Sequence, residues 1–244
     1  IFKFQIPKEI IKIFEIWNLL FFGIWNLFFG ISAMYFLSKE LYFPPVETAS
    51  PEGIVAFGGD LSSERLLLAY KSGIFPWFED DEPIIWWSPP ERMVLFFEEL
   101  KISKSMRNII NQQKFKVTFN TSFREVILNC KKTNRKDQNG TWITTEMVEA
   151  YCKLHELGIA KSVEVWENNE LVGGLYGVDL GHVFCGESMF SKVPNASKLA
   201  FIALAKQLEL ANYHLLDCQV YNDHLASLGC VEIDRADFLR VLQH

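Results

Sequence analysis

The chain has few of the residue patterns that bind metals or form disulfides. Its five cysteines are an odd number and include no C-x-x-C pair. This argues against both a disulfide framework and a zinc site, and it is typical of a reducing compartment. None of the five histidines has the spacing of metal ligands. We therefore expect no metal.

A glycine-rich phosphate-binding loop is also missing. The nearest candidate, Gly58-Gly59-Asp60, lacks the glycine spacing of a P-loop or a dinucleotide-binding turn. Hydrophobic residues make up 49% and charged residues 22%, which excludes a disordered or a uniformly membrane-embedded chain. The length of 244 residues suffices for one large domain or two modest ones.

Basic residues are scarce except in one segment. The net charge is −6, but residues 101–136 hold ten lysines and arginines against Glu125 alone. Such a segment can attract a phosphate backbone, with binding that weakens as salt is added. The alternative is an ordinary solvated face of helix and loop.

The first 33 residues differ from the rest of the chain. Residues 16–37 carry no charged side chain, a length close to the ~20 residues that span a bilayer. Lys3, Lys8 and Lys12 precede this stretch, which allows a membrane helix or signal anchor. The alternative is translated upstream sequence, since the first Met is Met34. Both interpretations stay open.

A glycine-rich hairpin is predicted over residues 170–191. Two apolar segments flank a turn at residues 179–181, which is typical of paired strands. Glycines inside strands often mark a bulge or the close approach of a ligand. Glu187 lies at the far end of the hairpin, where it either faces a cleft or is an ordinary surface residue.

A later strand, residues 215–220, carries a second pair of polar side chains. Asp217 and Gln219 are two residues apart, so both are expected on one face of the strand. This spacing allows one polar group to orient the other. The alternative is an exposed polar face.

Local signals predict the helices. A two-glycine loop leads into a helix over residues 63–72. Ser122 and Glu125 form a capping box at the start of another helix. Asn195 is expected to cap a helix over residues 196–211.

Nine motifs together resemble the leucyl/phenylalanyl-tRNA–protein transferases. They follow the family's order from Met34 to His244 and are GIFPWF, IIWWSPPER, GTWIT, AYCKLHELGIAKSVEVW, LVGGLYGV, FCGESMFS, NASK, LLDCQ and HLASLG. The resemblance therefore covers all of the chain except residues 1–33.

The resemblance implies an α+β fold with two domains. Residues 34–90 would form a small N-terminal domain, and residues 91–244 an N-acetyltransferase-like domain with a mixed, mostly antiparallel sheet. It also implies a cytoplasmic enzyme of the N-end rule, without cofactor. Such an enzyme moves Leu or Phe from aminoacyl-tRNA onto the N-terminal Arg or Lys of an acceptor protein.

The same resemblance assigns roles to individual residues. Asp217 would contact the attacking amine and favour loss of its proton, with Gln219 orienting the reacting groups; the donor's ribose hydroxyl is the alternative proton acceptor. The other substrate-binding residues it implies are Glu187, Trp77, Trp142, Leu204, Leu208 and Asn222. Leu204 and Leu208 stand where the family has larger aromatic residues, which bears on the preference for Leu or Phe. The tRNA-binding residues would be Lys131, Lys132, Arg135 and Lys136.

Two rival functions remain at this point. One is a coenzyme A-dependent acyltransferase, which the lack of glycine in residues 189–195 disfavours, because such enzymes bind pyrophosphate on a glycine-rich loop there. The other is an RNA-binding or membrane-tethered adaptor, suggested by the basic segment and residues 16–37. It would not need the carboxylates described above.

Overall fold

A computed structural model describes residues 35–80, 82–133 and 143–243. In these residues, two sheets are built from strands of two to ten residues. The first sheet has the order β1-β2-β4-β3, with β1 and β2 parallel and the other pairs antiparallel. Its strands are β1 Phe36–Leu37, β2 Ile54–Gly58, β3 Phe75–Pro76 and β4 Ile85–Trp87.

The second sheet has seven strands in the order β11-β5-β10-β9-β8-β7-β6. β9 and β10 are parallel, and all the other neighbours are antiparallel. Its strands are β5 Glu91–Leu95, β6 Lys116–Phe119, β7 Ala160–Glu167, β8 Glu170–Asp179, β9 Val183–Ser191, β10 Leu215–Gln219 and β11 Val231–Asp234. This confirms the predicted α+β class and the mixed, mostly antiparallel sheet.

Helices connect and cover these strands. They are α1 Ser63–Lys71, α2 Lys104–Asn111, α3 Phe123–Lys132, α4 Thr145–Glu156, α5 Ala196–Leu210, α6 Asp223–Ala226 and α7 Arg235–Leu242, with 3-10 turns at Val46–Thr48 and Phe97–Glu99. Residues 35–243 lie within one compact unit. The proposed division between residues 90 and 91 falls between the two sheets and stays a prediction.

Two predicted helix caps have the expected position but lack the expected side-chain hydrogen bond. Ser122 makes no side-chain capping bond, and the buried carboxylate of Glu164 on β7 instead accepts from the Ser122 N–H, at 3.4 Å. Asn195 adopts a left-handed conformation with φ of 70° and also makes no side-chain capping bond. Both helices begin close to the predicted positions, with Ser122 and Asn195 as their N-cap residues.

Helices cover both faces of the large sheet, and the glycines of β8 permit this. A Cβ on Gly173 would meet the Cβ of Ala196 on α5 at 2.5 Å. A Cβ on Gly174, which points to the other face, would meet the Val163 carbonyl at 2.6 Å and Val126 of α3 at 3.3 Å. At these two glycines the close approach comes from the protein's own backbone and side chains.

The N-terminal stretch lies outside the described residues almost entirely. In the part of the chain that the structure does describe, no helix is both long and apolar enough to cross a lipid bilayer. The two interpretations of residues 1–33 therefore stay predictions.

We expect Gly173→Ala to destabilise the protein by about 1–3 kcal/mol, the usual cost of overpacking a close-packed core. The added methyl group would overlap with Ala196, which cannot move without shifting α5. Urea unfolding would measure the change. Gly186→Ala is the matched control on β9, since its Cβ would find no atom closer than 3.4 Å. Equal losses in the two variants would contradict the packing argument.

Candidate active site

The candidate site lies where the two parallel strands of the large sheet separate. β9 and β10 pair only from Val183 and Leu215 to Cys185 and Asp217. Beyond this point β9 continues to Ser191, and within the described residues it pairs there with β8 alone. Beyond this point the polar groups of β9 and β10 need partners other than each other, because the ladder between the two strands has ended.

Both strands carry a bulge at the opening. The pairing of β8 with β9 steps from Tyr176–Ser188 to Gly177–Gly186, which leaves Glu187 as the extra residue. The pairing of β10 with β5 skips Cys218 in the same way. A bulge bends a strand and re-aims a side chain, and bulges are frequent beside active sites. The predicted bulge in the hairpin is confirmed.

Asp217 forms a buried ion pair with Arg92 of β5. Arg92 Nε donates to Asp217 Oδ1 at 2.8 Å, and Nη2 donates to Oδ2 at 2.7 Å. The side chains are 2% and 0% exposed, so the interpretation of Asp217 as part of an exposed polar face is wrong. Asp217 Oδ1 also accepts from the Gln219 N–H at 2.9 Å.

Arg92 connects β5 to β3 and to α7 through contacts with two aromatic rings. Its guanidinium carbon lies 4.7 Å from the ring centre of Phe75 on β3 and 4.5 Å from that of Phe238 on α7. Its Nη1 donates to the carbonyl oxygen of Gly73 at 3.2 Å. Stacking and a satisfied donor offset part of the cost of burying the charge.

Gln219 connects Asp217 to Glu187. Its φ of 66° is a left-handed conformation, which is uncommon for a residue with a side chain. Its Nε2 donates to Glu187 Oε1 at 2.6 Å. The bulge at Cys218 interrupts the regular alternation of side chains that predicted Asp217 and Gln219 on one face of β10. The two residues remain linked, because the Gln219 N–H donates to the Asp217 carboxylate.

Glu187 is the titratable carboxylate of the site. Burial raises its pKa to about 7, against the opposing effect of the Tyr70, Tyr151 and Gln219 side chains. Tyr151 donates to Glu187 Oε2 at 3.1 Å. Unlike Asp217, Glu187 remains partly exposed. A carboxylate with a pKa near neutrality can accept and release a proton at physiological pH.

The other predicted substrate-binding residues have diverse surroundings. Trp77 is partly exposed and lies 5.9 Å from the ring of Trp87, whereas Leu204 and Leu208 are buried members of the hydrophobic core. The side chain of Asn222 accepts from two N–H groups at the start of α6. Trp142 lies outside the described residues. Their roles toward a substrate stay predictions.

The basic segment is distributed over several surfaces. Lys131 and Lys132 lie in the last turn of α3, and Lys131 Nζ donates to Thr145 at 2.9 Å. Arg124 instead pairs with Glu149 on α4. Arg135 and Lys136 lie outside the described residues. The tRNA-binding assignment stays a prediction, with two of its four residues described.

Three residues of the site were not identified from the sequence. Arg92 directly precedes three apolar residues of β5, a position that could have signalled a buried charge. Tyr70 and Tyr151 occupy apolar positions of α1 and α4 and gave no signal of a polar role. No group of three or more potential metal ligands occurs in residues 35–80, 82–133 and 143–243.

Fold and site together define an α+β protein with a mixed seven-stranded sheet and a carboxylate at the opening between its two parallel strands. The sequence matches the leucyl/phenylalanyl-tRNA protein transferase family over residues 94–243, and that family's N-terminal domain over residues 59–90. The chain belongs to this family.

Several relatives are similar over most of the chain. The leucyl/phenylalanyl-tRNA–protein transferase of Flavobacterium johnsoniae is 68% identical over 210 residues, which cover 86% of this chain and 99% of that protein. The corresponding protein of Christiangramia forsetii is 56% identical, with 86% of this chain and 100% of that protein covered. Among solved structures, a Bacteroides thetaiotaomicron protein of unknown function aligns at 14% identity with a TM-score of 0.45, covering 71% of this chain and 64% of that one.

We expect the Arg92–Asp217 pair to dominate the stability of the site. Asp217→Asn or Arg92→Met should each cost roughly 3–5 kcal/mol, because each leaves an uncompensated buried charge. The double variant Arg92→Met/Asp217→Leu should recover much of that loss, since it removes both charges. Urea unfolding would measure all three.

The control for this prediction is Arg124→Met, which breaks an ion pair whose partners are both 57% exposed. Its effect should be small, because solvent screens such pairs. An Asp217→Asn variant as stable as Arg124→Met would contradict the assignment of a buried, structurally required ion pair.

Proposed function

We propose that this protein transfers Leu or Phe from aminoacyl-tRNA to proteins whose N-terminal residue is Arg or Lys. Family membership supports the donor and the protein acceptor. The observation that carries the chemistry is a carboxylate with a pKa of about 7 at the opening between β9 and β10. Because the donor is found in the cytoplasm, we propose a cytoplasmic location as well.

The reaction makes a peptide bond from an ester. The neutral α-amine of the acceptor attacks the ester carbonyl carbon, so that a C–N bond forms and the C–O bond to the ribose breaks. One proton leaves the amine, and one reaches the departing ribose oxygen. An aminoacyl ester is already activated, and the protein has to align the two reactants, remove the amine proton and stabilise the oxyanion.

Glu187 is proposed as the group that accepts the amine proton. It is partly exposed, and above pH 7 it is predominantly ionised. Asp217 has both oxygens engaged by Arg92, so its proposed contribution is indirect and runs through the Gln219 backbone. Gln219 would orient Glu187 and the reacting groups. The ribose hydroxyl is the alternative route for the proton.

The remaining substrate contacts follow the family resemblance. Trp77 and Trp142 would stack on the terminal adenosine or flank the side-chain pocket, where stacking contributes about 1–3 kcal/mol per base. Leu204 and Leu208 would set the size of the pocket for Leu or Phe. Asn222 would contact substrate next to the short helix that it caps.

Coenzyme A is a poorer fit as donor. In the loop between β9 and α5, the Lys192 N–H donates to the Val172 carbonyl, and the Ala196 N–H donates to the Val193 carbonyl. Pro194 has no N–H to offer. These groups are therefore not free to bind a pyrophosphate, in keeping with the absence of glycine from this loop.

The first test is transfer of radiolabelled Leu or Phe from charged tRNA to a protein that begins with Arg, with the same protein beginning with Ala as the control acceptor. We expect label on the Arg acceptor alone. If neither acceptor is labelled while charged tRNA is consumed or bound, the proposed reaction is wrong.

The second test is the pH dependence of kcat/KM. The acceptor amine has a pKa of about 7.7–8.0 and must lose a proton, as must Glu187. Below pH 6.5 the logarithm of kcat/KM should therefore fall with a slope near two, and Glu187→Gln should reduce both the rate and the slope, to about one. Glu170→Gln, an exposed Glu on β8, is the matched control. A slope of two that survives Glu187→Gln would rule out Glu187 as the base.

The third test concerns tRNA binding by the end of α3. Reversing the charges of Lys131, Lys132, Arg135 and Lys136 should weaken tRNA binding and reduce its salt dependence. The slope of the logarithm of the binding constant against the logarithm of the salt concentration should become shallower by roughly one for each phosphate that is no longer bound. Filter binding at several salt concentrations would measure this. Reversal of the exposed Lys71 and Lys206 is the control. Unchanged binding in the fourfold variant would place the tRNA surface elsewhere.

A further inference from the structure

Two buried tyrosines lie behind Glu187. The hydroxyl groups of Tyr70 on α1 and Tyr151 on α4 are in direct hydrogen-bond contact, and Tyr151 also contacts Glu187 Oε2 at 3.1 Å. Tyr70 is 1% exposed and Tyr151 is not exposed at all. Neither can reach a substrate, but both are connected to a group that can.

The number of hydroxyl protons fixes the direction of the hydrogen bonds that join Tyr70, Tyr151 and Glu187. An ionised carboxylate can only accept, so the Tyr151 hydroxyl must donate its single proton to Glu187. The proton between the two hydroxyl oxygens must then belong to Tyr70. The chain therefore runs from Tyr70 to Tyr151 to Glu187, while Gln219 donates to the other carboxylate oxygen.

Protonation of Glu187 would oppose this direction. A proton on Oε2 would face the Tyr151 hydroxyl, which would then have to turn its own proton toward Tyr70. The arrangement therefore favours the ionised form of Glu187, which burial disfavours. Burial also raises the pKa of both tyrosines well above the ordinary value, so both remain donors.

The other titratable groups near Glu187 do not supply this effect. Asp217 on β10 raises the pKa of Glu187 by charge repulsion, and Arg92 of β5 is committed to Asp217. Burial keeps the Cys185 thiol on β9 protonated by raising its pKa. The donors to Glu187 are thus Tyr151 and Gln219, and Tyr70 supports the charge from behind Tyr151.

We propose that Tyr151 and Tyr70 are positioning residues of the transfer reaction, which fix the orientation of Glu187 and favour its ionised form. The proposal rests on the proposed function, in which Glu187 accepts the amine proton. It also assigns to α1, a helix next to the small sheet, a part in the chemistry of the large one.

The test is the pH dependence of kcat/KM for transfer to the Arg acceptor, measured with the full chain carrying Tyr151→Phe or Tyr70→Phe. A hydrogen bond to a charged group stabilises it by about 1.5–3 kcal/mol, so the pH midpoint assigned to Glu187 should rise by roughly one unit in the Tyr151 variant. The rate should fall about tenfold at pH 6 and remain close to wild type at pH 9. The acceptor amine ionises identically in every variant, so a difference between variants reports on the protein.

Tyr213→Phe is the matched control, because it removes a hydroxyl that also donates to a carboxylate, Asp179 at the hairpin turn, at 2.7 Å. It should leave the pH profile unchanged. A loss of rate by the same factor at every pH in both site variants, or an unshifted profile in both, would overturn the proposal.

The result separates this inference from the function on which it rests. If the wild-type protein labels the Arg acceptor but the tyrosine variants do not shift the profile, the function stands and the positioning role is wrong. If the wild-type protein transfers nothing, the function itself fails. Should Tyr151→Phe not fold, Tyr70→Phe decides, since it leaves the direct Tyr151–Glu187 bond in place and should shift the midpoint in the same direction.

Discussion

The ion pair of Arg92 with Asp217 holds the site together. Two buried charges stabilise a fold only when their geometry is good and their remaining donors are satisfied. Here the contact is bidentate, Gly73 accepts a further N–H, and two aromatic rings enclose the guanidinium. The pair fixes the end of β10, and the position of Gln219 follows from it because its N–H is bound to the same carboxylate.

Two carboxylates in one site have different surroundings and therefore different uses. Asp217 is paired with a cation and excluded from solvent, whereas the partners of Glu187 are neutral donors. Burial without a cationic partner raises the pKa of Glu187 to about 7, into the range where proton transfer is efficient. The bulge in β9 adds to this difference, because Glu187 is its extra residue and reaches Gln219 at the opening between β9 and β10.

Local features of the fold were predictable from the sequence, and contacts between distant residues were less so. The glycine-rich hairpin and the starts of α1 and α5 follow from neighbouring residues, and the structure agrees with them. The ion pair joins residues 125 positions apart, and no local pattern identifies its two members as partners. The same holds for Glu164 on β7, which accepts from the Ser122 N–H at the start of α3. Glycine in a strand had two interpretations, a bulge or a ligand, and the close neighbour of Gly173 is instead Ala196 of α5.

The contacts of Arg92 and Tyr151 extend from the large sheet and α4 to the segment around α1 and β3. The segment around α1 and β3 supplies the Gly73 carbonyl and the Phe75 ring to Arg92, and Tyr70 to the chain that ends at Glu187. Without these contacts Arg92 would keep a buried, unsatisfied N–H group, and Glu187 would lose donors that favour its charged form. The stability of the ion pair and the protonation of the proposed base therefore both depend on the end of α1 and the residues that follow it as far as Phe75.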